Sequence, residues 1–142
     1  ISEPMGCYCL GYLWNRGDEV GDATDPNTGR KIEFKATSRF EGDLSSFGPK
    51  CVFDDLVFLR FKLDENLLYI YDLNINSEEF GKYPANKTQT IQEQKNQGRR
   101  PHVSLQTLFV DANNLEPDII FDIRRCKAYN RVSEYYQRLI GK

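Results

Sequence analysis

Two β-rich runs separated by three polar residues constrain the fold of this chain most. "LVFLRFKL" (56–63) and "LLYIYDL" (67–73) are dense in branched and aromatic side chains, and Asp64-Glu65-Asn66 between them makes a tight hairpin connection. In the first run Val57, Leu59, Phe61 and Leu63 point one way, Arg60 and Lys62 the other. Such a hairpin needs a sheet around it, and further strands are available. "DIIFDI" (118–123) is one, and two more, at about 18–25 and 31–37, flank a turn at Pro26–Gly29. "MGCYCLGYLW" (5–14) is apolar on nearly every side and predicts a buried helix ended by Asn15, Arg16 and Gly17. From Ala128 the tail predicts a closing helix, with Tyr129, Val132, Tyr136 and Leu139 on one stripe. Residues 39–50, rich in Gly, Ser and Phe, read as loop or a short helix. Residues 76–106 are polar with little apolar periodicity. Together these elements predict a mixed α/β domain.

At 142 residues with no repeat and no linker, the chain reads as one domain, 1–142. It opens on Ile1, without a methionine, in what reads as the middle of a helix, so some N-terminal residues of a longer protein are expected to be missing. No apolar run approaches the roughly 20 residues of a membrane span. The cysteines, at 7, 9, 51 and 126, fit neither zinc spacing nor a dense disulfide framework. They read as small buried hydrophobes in a reduced prokaryotic cytoplasm. His102 is the only histidine, which leaves little room for His-based chemistry.

The net charge of −2 would disfavour a nucleic-acid partner, but the charge is segregated. Residues 80–110 hold five basic residues (Lys82, Lys87, Lys95, Arg99, Arg100) and one acid, Glu93, whereas the remainder holds 14 basic and 20 acidic residues.

The stretch "GDATDPNTGRKIEFKAT" (21–37) carries the chemistry. If Asp25 opposes Arg30 across the turn, Asp22 lies opposite Glu33 on one face of a hairpin, at a Cβ spacing of about 5 Å. Lys35 shares that face, while Ile32 and Phe34 point into the core. A register shift of one residue would undo this. Two carboxylates so close repel unless a cation lies between them, and hard oxygen ligands with open positions suit Mg²⁺. Such an ion activates water and offsets charge on a phosphate, and a neighbouring lysine can orient or deprotonate that water. The alternative is an ordinary solvated hairpin with cross-strand ion pairs worth about 0.2–1 kcal/mol.

"Asp22 … Ile32-Glu33-Phe34-Lys35-Ala36-Thr37" resembles the PD-(D/E)xK nuclease signature, an acidic residue followed by a hairpin whose second strand carries E-x-K. An apolar helix before it and β-runs after it are similar to the same family, across most of the chain. The resemblance implies a restriction-endonuclease-like core, a central mixed sheet flanked by helices. It implies Asp22 and Glu33 as metal ligands, Lys35 as the catalytic lysine and the main-chain carbonyl of Phe34 as a further ligand. Glu3, on the preceding helix, matches a glutamate that some members use, which would make it a further metal ligand, or is a helix-start acid beside Pro4. Gly21 stands where the signature has proline. Asp25 rivals Asp22, although an Asp before Pro26 suits a turn.

Within that superfamily the chain resembles a small type II restriction endonuclease, because of "NKTQTIQEQKNQGRRPHVS" (86–104). Lys and Arg suit phosphates or guanine, and Gln and Asn suit adenine edges. Lys87, Gln89, Gln92, Gln94, Lys95, Arg99, Arg100 and His102 are the candidate contacts, with Arg39 and Lys50 nearer the lysine strand. The expectation is Mg²⁺-dependent, site-specific cleavage of double-stranded DNA to 5′-phosphate and 3′-hydroxyl ends. Mn²⁺ would be able to substitute, and a homodimer would act on a palindromic site. The alternatives are a PD-(D/E)xK nuclease of DNA repair or recombination, and a non-catalytic DNA-binding module.

Overall fold

The computed structural model describes residues 2–15, 21–130 and 135. Helix α1 (Ser2–Leu10) stops well short of the predicted Asn15. Gly11 explains the early stop: it takes a left-handed φ of 74° and its N–H closes onto the Cys7 carbonyl at 2.8 Å. Leu13–Trp14 then form an exposed edge strand, β1, and Tyr8 is also exposed, so this stretch is not buried on all sides.

Strands β2 (Ala23–Thr24), β3 (Lys31–Thr37), β5 (Asp55–Lys62), β6 (Leu67–Asp72), β8 (Ile119–Asp122) and β9 (Lys127–Tyr129) complete a sheet in the order β1-β2-β3-β5-β6-β8-β9. Only β3 and β5 run parallel. Their connection carries β4 (Ser45–Ser46), which pairs in a separate two-stranded sheet with β7 (His102–Val103). The β5–β6 hairpin turns through a 3-10 segment at Leu63–Glu65, with Asn66 in the left-handed region at φ 56°.

The sheet is covered on both faces. Val57 and Leu59 join Ile32, Phe34, Leu68, Ile70, Phe121 and Cys7 of α1 on one face. Leu56 and Phe58 join Phe47, Phe53, Phe80, Ile91, Leu105 and Phe109 on the other. Because the second face is also buried, Arg60 does not reach water. It donates to the Tyr71 hydroxyl at 3.0 Å and to the Phe40 carbonyl, with its guanidinium 3.9 Å from the Phe40 ring centroid.

The cover on that face comes from the polar stretch 76–106, in which sequence periodicity predicts little. It contains α2 (Ser77–Gly81) and α3 (Ile91–Asn96), and a π-helical turn (Gln106–Asp111) follows. Side-chain caps start both short helices: Asn76 accepts the Glu79 N–H, and Thr90 and Glu93 form a reciprocal capping box. The predicted closing helix is corrected at its start. Ala128 and Tyr129 lie in β9, paired with Phe121 and Ile120 after a turn in which Cys126 takes φ 52°. Val132, Tyr136 and Leu139 lie outside the described residues. The mixed α/β architecture, a large mixed sheet with a few helices, is consistent with a restriction-endonuclease-like fold.

Candidate active site

The turn between β2 and β3 sets the register. Asp25 N–H donates to the Arg30 carbonyl at 3.0 Å, and Thr24 and Ala23 face Lys31 and Ile32. The Asp25 carboxylate is consumed within the turn, accepting the Asn27 N–H at 2.9 Å, which removes it as a rival to Asp22.

At Asp22 the ladder slips, because its N–H also goes to the Ile32 carbonyl, at 2.8 Å. Gly21 makes the slip possible. It sits at φ 77°, and a Cβ there would come within 3.0 Å of the Ile32 oxygen. Proline, locked near φ −65°, could not occupy this position, which accounts for the departure from the signature.

The slip carries the Asp22 side chain along the edge of β3, where Oδ2 accepts the Phe34 N–H at 2.8 Å. Strand geometry places the Phe34 carbonyl on that same edge. The Phe34 ring and Ile32 are buried on the α1 side, as expected from alternation. Glu33 and Lys35 face the opposite side, and Lys35 Nζ lies 3.6 Å from Glu33 Oε2 and 4.8 Å from the Phe47 ring centroid.

Glu33 is pushed up to about 7 by burial and by the charge of Asp22, with Lys35 opposing. Burial also raises Glu3, and the Asp22 carboxylate within hydrogen-bonding reach adds to it. A run of carboxyls, Glu3–Asp22–Glu33, therefore meets at the edge of β3. Lys35 opposes the charge of Glu33.

Among the described residues no three His, Cys, Asp or Glu side chains form a ready-made metal cage. The donor set still fits a hard divalent ion that keeps water ligands: two crowded carboxylates whose repulsion a cation would relieve, and a main-chain oxygen beside them. Mg²⁺ commonly binds through one or two carboxylates in this way.

Arg39, Lys50, Lys87, Gln92, Arg99, Arg100 and His102 are exposed, and Gln89 is half-buried. Gln89 Oε1 accepts Arg99 Nη1 at 3.0 Å, and Gln92 Nε2 donates to Asn96. The β4–β7 pairing sets His102 opposite Ser46, so this segment adjoins the loop that follows Lys35. Gln94 and Lys95 are different. They are 6% and 8% exposed, Gln94 donates to Gln89, and Lys95 Nζ donates to the Cys51 carbonyl at 2.8 Å. Both lie with Ile91 on the inner side of α3 at three- and four-residue spacing, which corrects their expected place on the surface.

Two further residues at the site carry no sequence signal. Phe47 lies under Lys35, and the Cys51 thiol is within hydrogen-bonding reach of Glu33. Burial pushes the Cys51 thiol up to about 11, and the Glu33 charge adds to it.

The model of the Bsp6I restriction endonuclease family matches residues 1–112. The chain belongs to that family. It is 42% identical over 127 residues to the type II restriction enzyme Bsp6I of Bacillus sp. (strain RFL6), an alignment covering 89% of this chain and 72% of that one. No solved structure matches the chain. The family match spans Glu3, the β2–β3 hairpin and the polar segment 86–104, so every candidate residue lies inside it.

Proposed function

We propose that this chain is a site-specific type II restriction endonuclease of PD-(D/E)xK type that hydrolyses phosphodiesters of double-stranded DNA with Mg²⁺, leaving 5′-phosphate and 3′-hydroxyl ends. The observation that carries the reading is the meeting of Asp22, Glu33 and Lys35 at one edge of β3.

Asp22, Glu33 and the Phe34 carbonyl would hold the ion, with Glu3 steadying Asp22. When bound, Mg²⁺ supplies an acidified water and offsets charge on the phosphate. Glu33 must be ionised to serve, and a bound cation would offset the burial and the Asp22 charge that raise its pKa. Lys35, kept beside Glu33 and over Phe47, orients the attacking water through Nζ and meets a phosphate oxygen. Exposed Arg39, Lys50, Lys87, Arg99 and Arg100 provide cations for the DNA backbone or guanine edges, and Gln89, Gln92 and His102 provide base-edge partners. A palindromic target calls for two copies related by a two-fold axis, each cutting one strand. Mn²⁺ would substitute for Mg²⁺.

The experiment is digestion of a plasmid of known sequence with Mg²⁺, followed by mapping of the ends. Discrete fragments sharing one short sequence at 5′-phosphorylated ends are expected. A smear, or no cutting in Mg²⁺ or Mn²⁺, would sink the reading.

A further inference from the structure

The stretch 47–51 touches both the polar segment and the catalytic strand. Toward the polar segment, Phe47 N–H donates to the Pro101 carbonyl at 3.1 Å, and Lys95 Nζ donates to the Cys51 carbonyl at 2.8 Å. Arg100 Nη1 sits so near Gly48 that a Cβ there would stand 3.0 Å from it. Toward β3, Phe47 lies under Lys35 and the Cys51 thiol stands within hydrogen-bonding reach of Glu33. Cys51 N–H closes the turn onto the Gly48 carbonyl at 3.1 Å, which links the two ends of the stretch.

Lys95 belongs to the basic segment by sequence, yet its side chain is buried, 8% exposed. An ammonium taken from water must be hydrogen-bonded, and a charged donor on a carbonyl at 2.8 Å is among the stronger neutral-acceptor contacts. To neutralise a DNA phosphate it would have to abandon Cys51.

We propose that Lys95 is a positioning residue for cleavage: it pins Cys51, whose thiol holds Glu33, and so ties helix α3 to the catalytic strand. Arg99 and Arg100 lie just past α3, after Gln97 and Gly98, so engagement of DNA there would be transmitted to Glu33 through one ammonium, one carbonyl and one thiol. The proposal rests on the nuclease reading above.

The test compares the parent with K95M, C51A and C51S, on a duplex oligonucleotide carrying a site mapped from the parent's plasmid digest. Binding is measured in Ca²⁺ as a function of salt, cleavage as a single-turnover rate in Mg²⁺ at saturating enzyme, and folding by thermal unfolding. K95M is expected to keep the parent's affinity and salt slope while cleaving about 10–100-fold more slowly, the usual effect of losing a residue that orients a metal ligand. A salt slope reduced by about 1, with an unchanged single-turnover rate, would make Lys95 a phosphate contact and overturn the proposal. If K95M does not fold, the cysteine pair decides. C51A should slow cleavage by a similar factor and C51S, which keeps a donor, should restore it. C51A cutting at the parent's rate overturns the relay. A parent that cuts no DNA overturns the nuclease reading itself, a result independent of any variant.

Discussion

Asp22 Oδ2 accepts the main-chain N–H of Phe34 at 2.8 Å, twelve residues further along the chain. That bond anchors the first carboxylate to the strand that carries the second, so the two hold their spacing without relying on the surrounding loops. Asn at this position keeps an acceptor for Phe34 but loses the charge. D22N is therefore expected to unfold at nearly the parent's temperature while cleavage falls by about 100-fold or more, the scale of a lost metal ligand. Melting curves and single-turnover rates check this. A fold lost along with activity would show Asp22 to be structural.

Glu33 sits near pH 7 because burial and Asp22 both disfavour its charge. If Glu33 holds the ion as proposed, protons and metal compete for it, and apparent Mg²⁺ affinity should weaken as pH falls below about 7. Between about pH 8 and about pH 6 the half-saturating Mg²⁺ concentration should rise roughly tenfold, following the ionised fraction. In E33Q that pH dependence should vanish. Equal affinity at both pH values would show that Glu33 does not bind the ion.

Asp55 makes a separate, structural prediction. Burial and the neighbouring Asp72 push it up to about 8. Its Oδ1 accepts the Leu56 and Ile75 N–H groups, whereas Oδ2 is buried with no hydrogen-bond partner, which favours the protonated carboxyl. The native state then holds a proton that the unfolded chain, with an ordinary carboxyl near 4, has released. Stability is therefore full below about 4, falls as pH rises, and levels off above about 8. D55N, which carries its own donor, should flatten most of this slope in urea melts from about pH 5 to pH 8. What remains belongs to the other raised carboxyls, Glu33 and Glu3. A parent whose stability rises with pH across this range contradicts the assignment.

Asp43 ties the loop after β3 to the polypeptide beyond β7. Buried at 3% exposure, it accepts four donors: Ser104 Oγ and Gln106 N on Oδ1, Ser45 Oγ and Leu105 N on Oδ2. D43A strands buried N–H groups, at about 1–3 kcal/mol for each group left unsatisfied. Urea unfolding should register a loss of about 2–4 kcal/mol. A change below about 0.5 kcal/mol would mean water replaces the carboxylate.

Some of this was legible in the residues. The β5–β6 hairpin and the placement of Glu33 and Lys35 follow from alternation and turn length, both local quantities. Asp22 was reached by the right register for a partly different reason: the ladder slips at Gly21, whose left-handed φ no residue pattern announces. The parallel pairing of β3 with β5 is a long-range choice, made by burial on both faces. Gln94 and Lys95 misled because they are polar. Their spacing from Ile91 already put them on the inner side of α3, but nothing local supplies the Cys51 carbonyl that accepts the lysine. At the tail, Ala128 and Tyr129 fit a helical stripe as well as a strand, and pairing with β8 decides for the strand.

The central claim is that Glu33 and Lys35 perform phosphodiester cleavage, and E33A and K35A test it most directly against a plasmid in Mg²⁺. Both variants should bind the mapped site like the parent yet cleave at least about 100-fold more slowly. If both cut at the parent's rate, the hairpin is a decorated turn and the active site lies elsewhere.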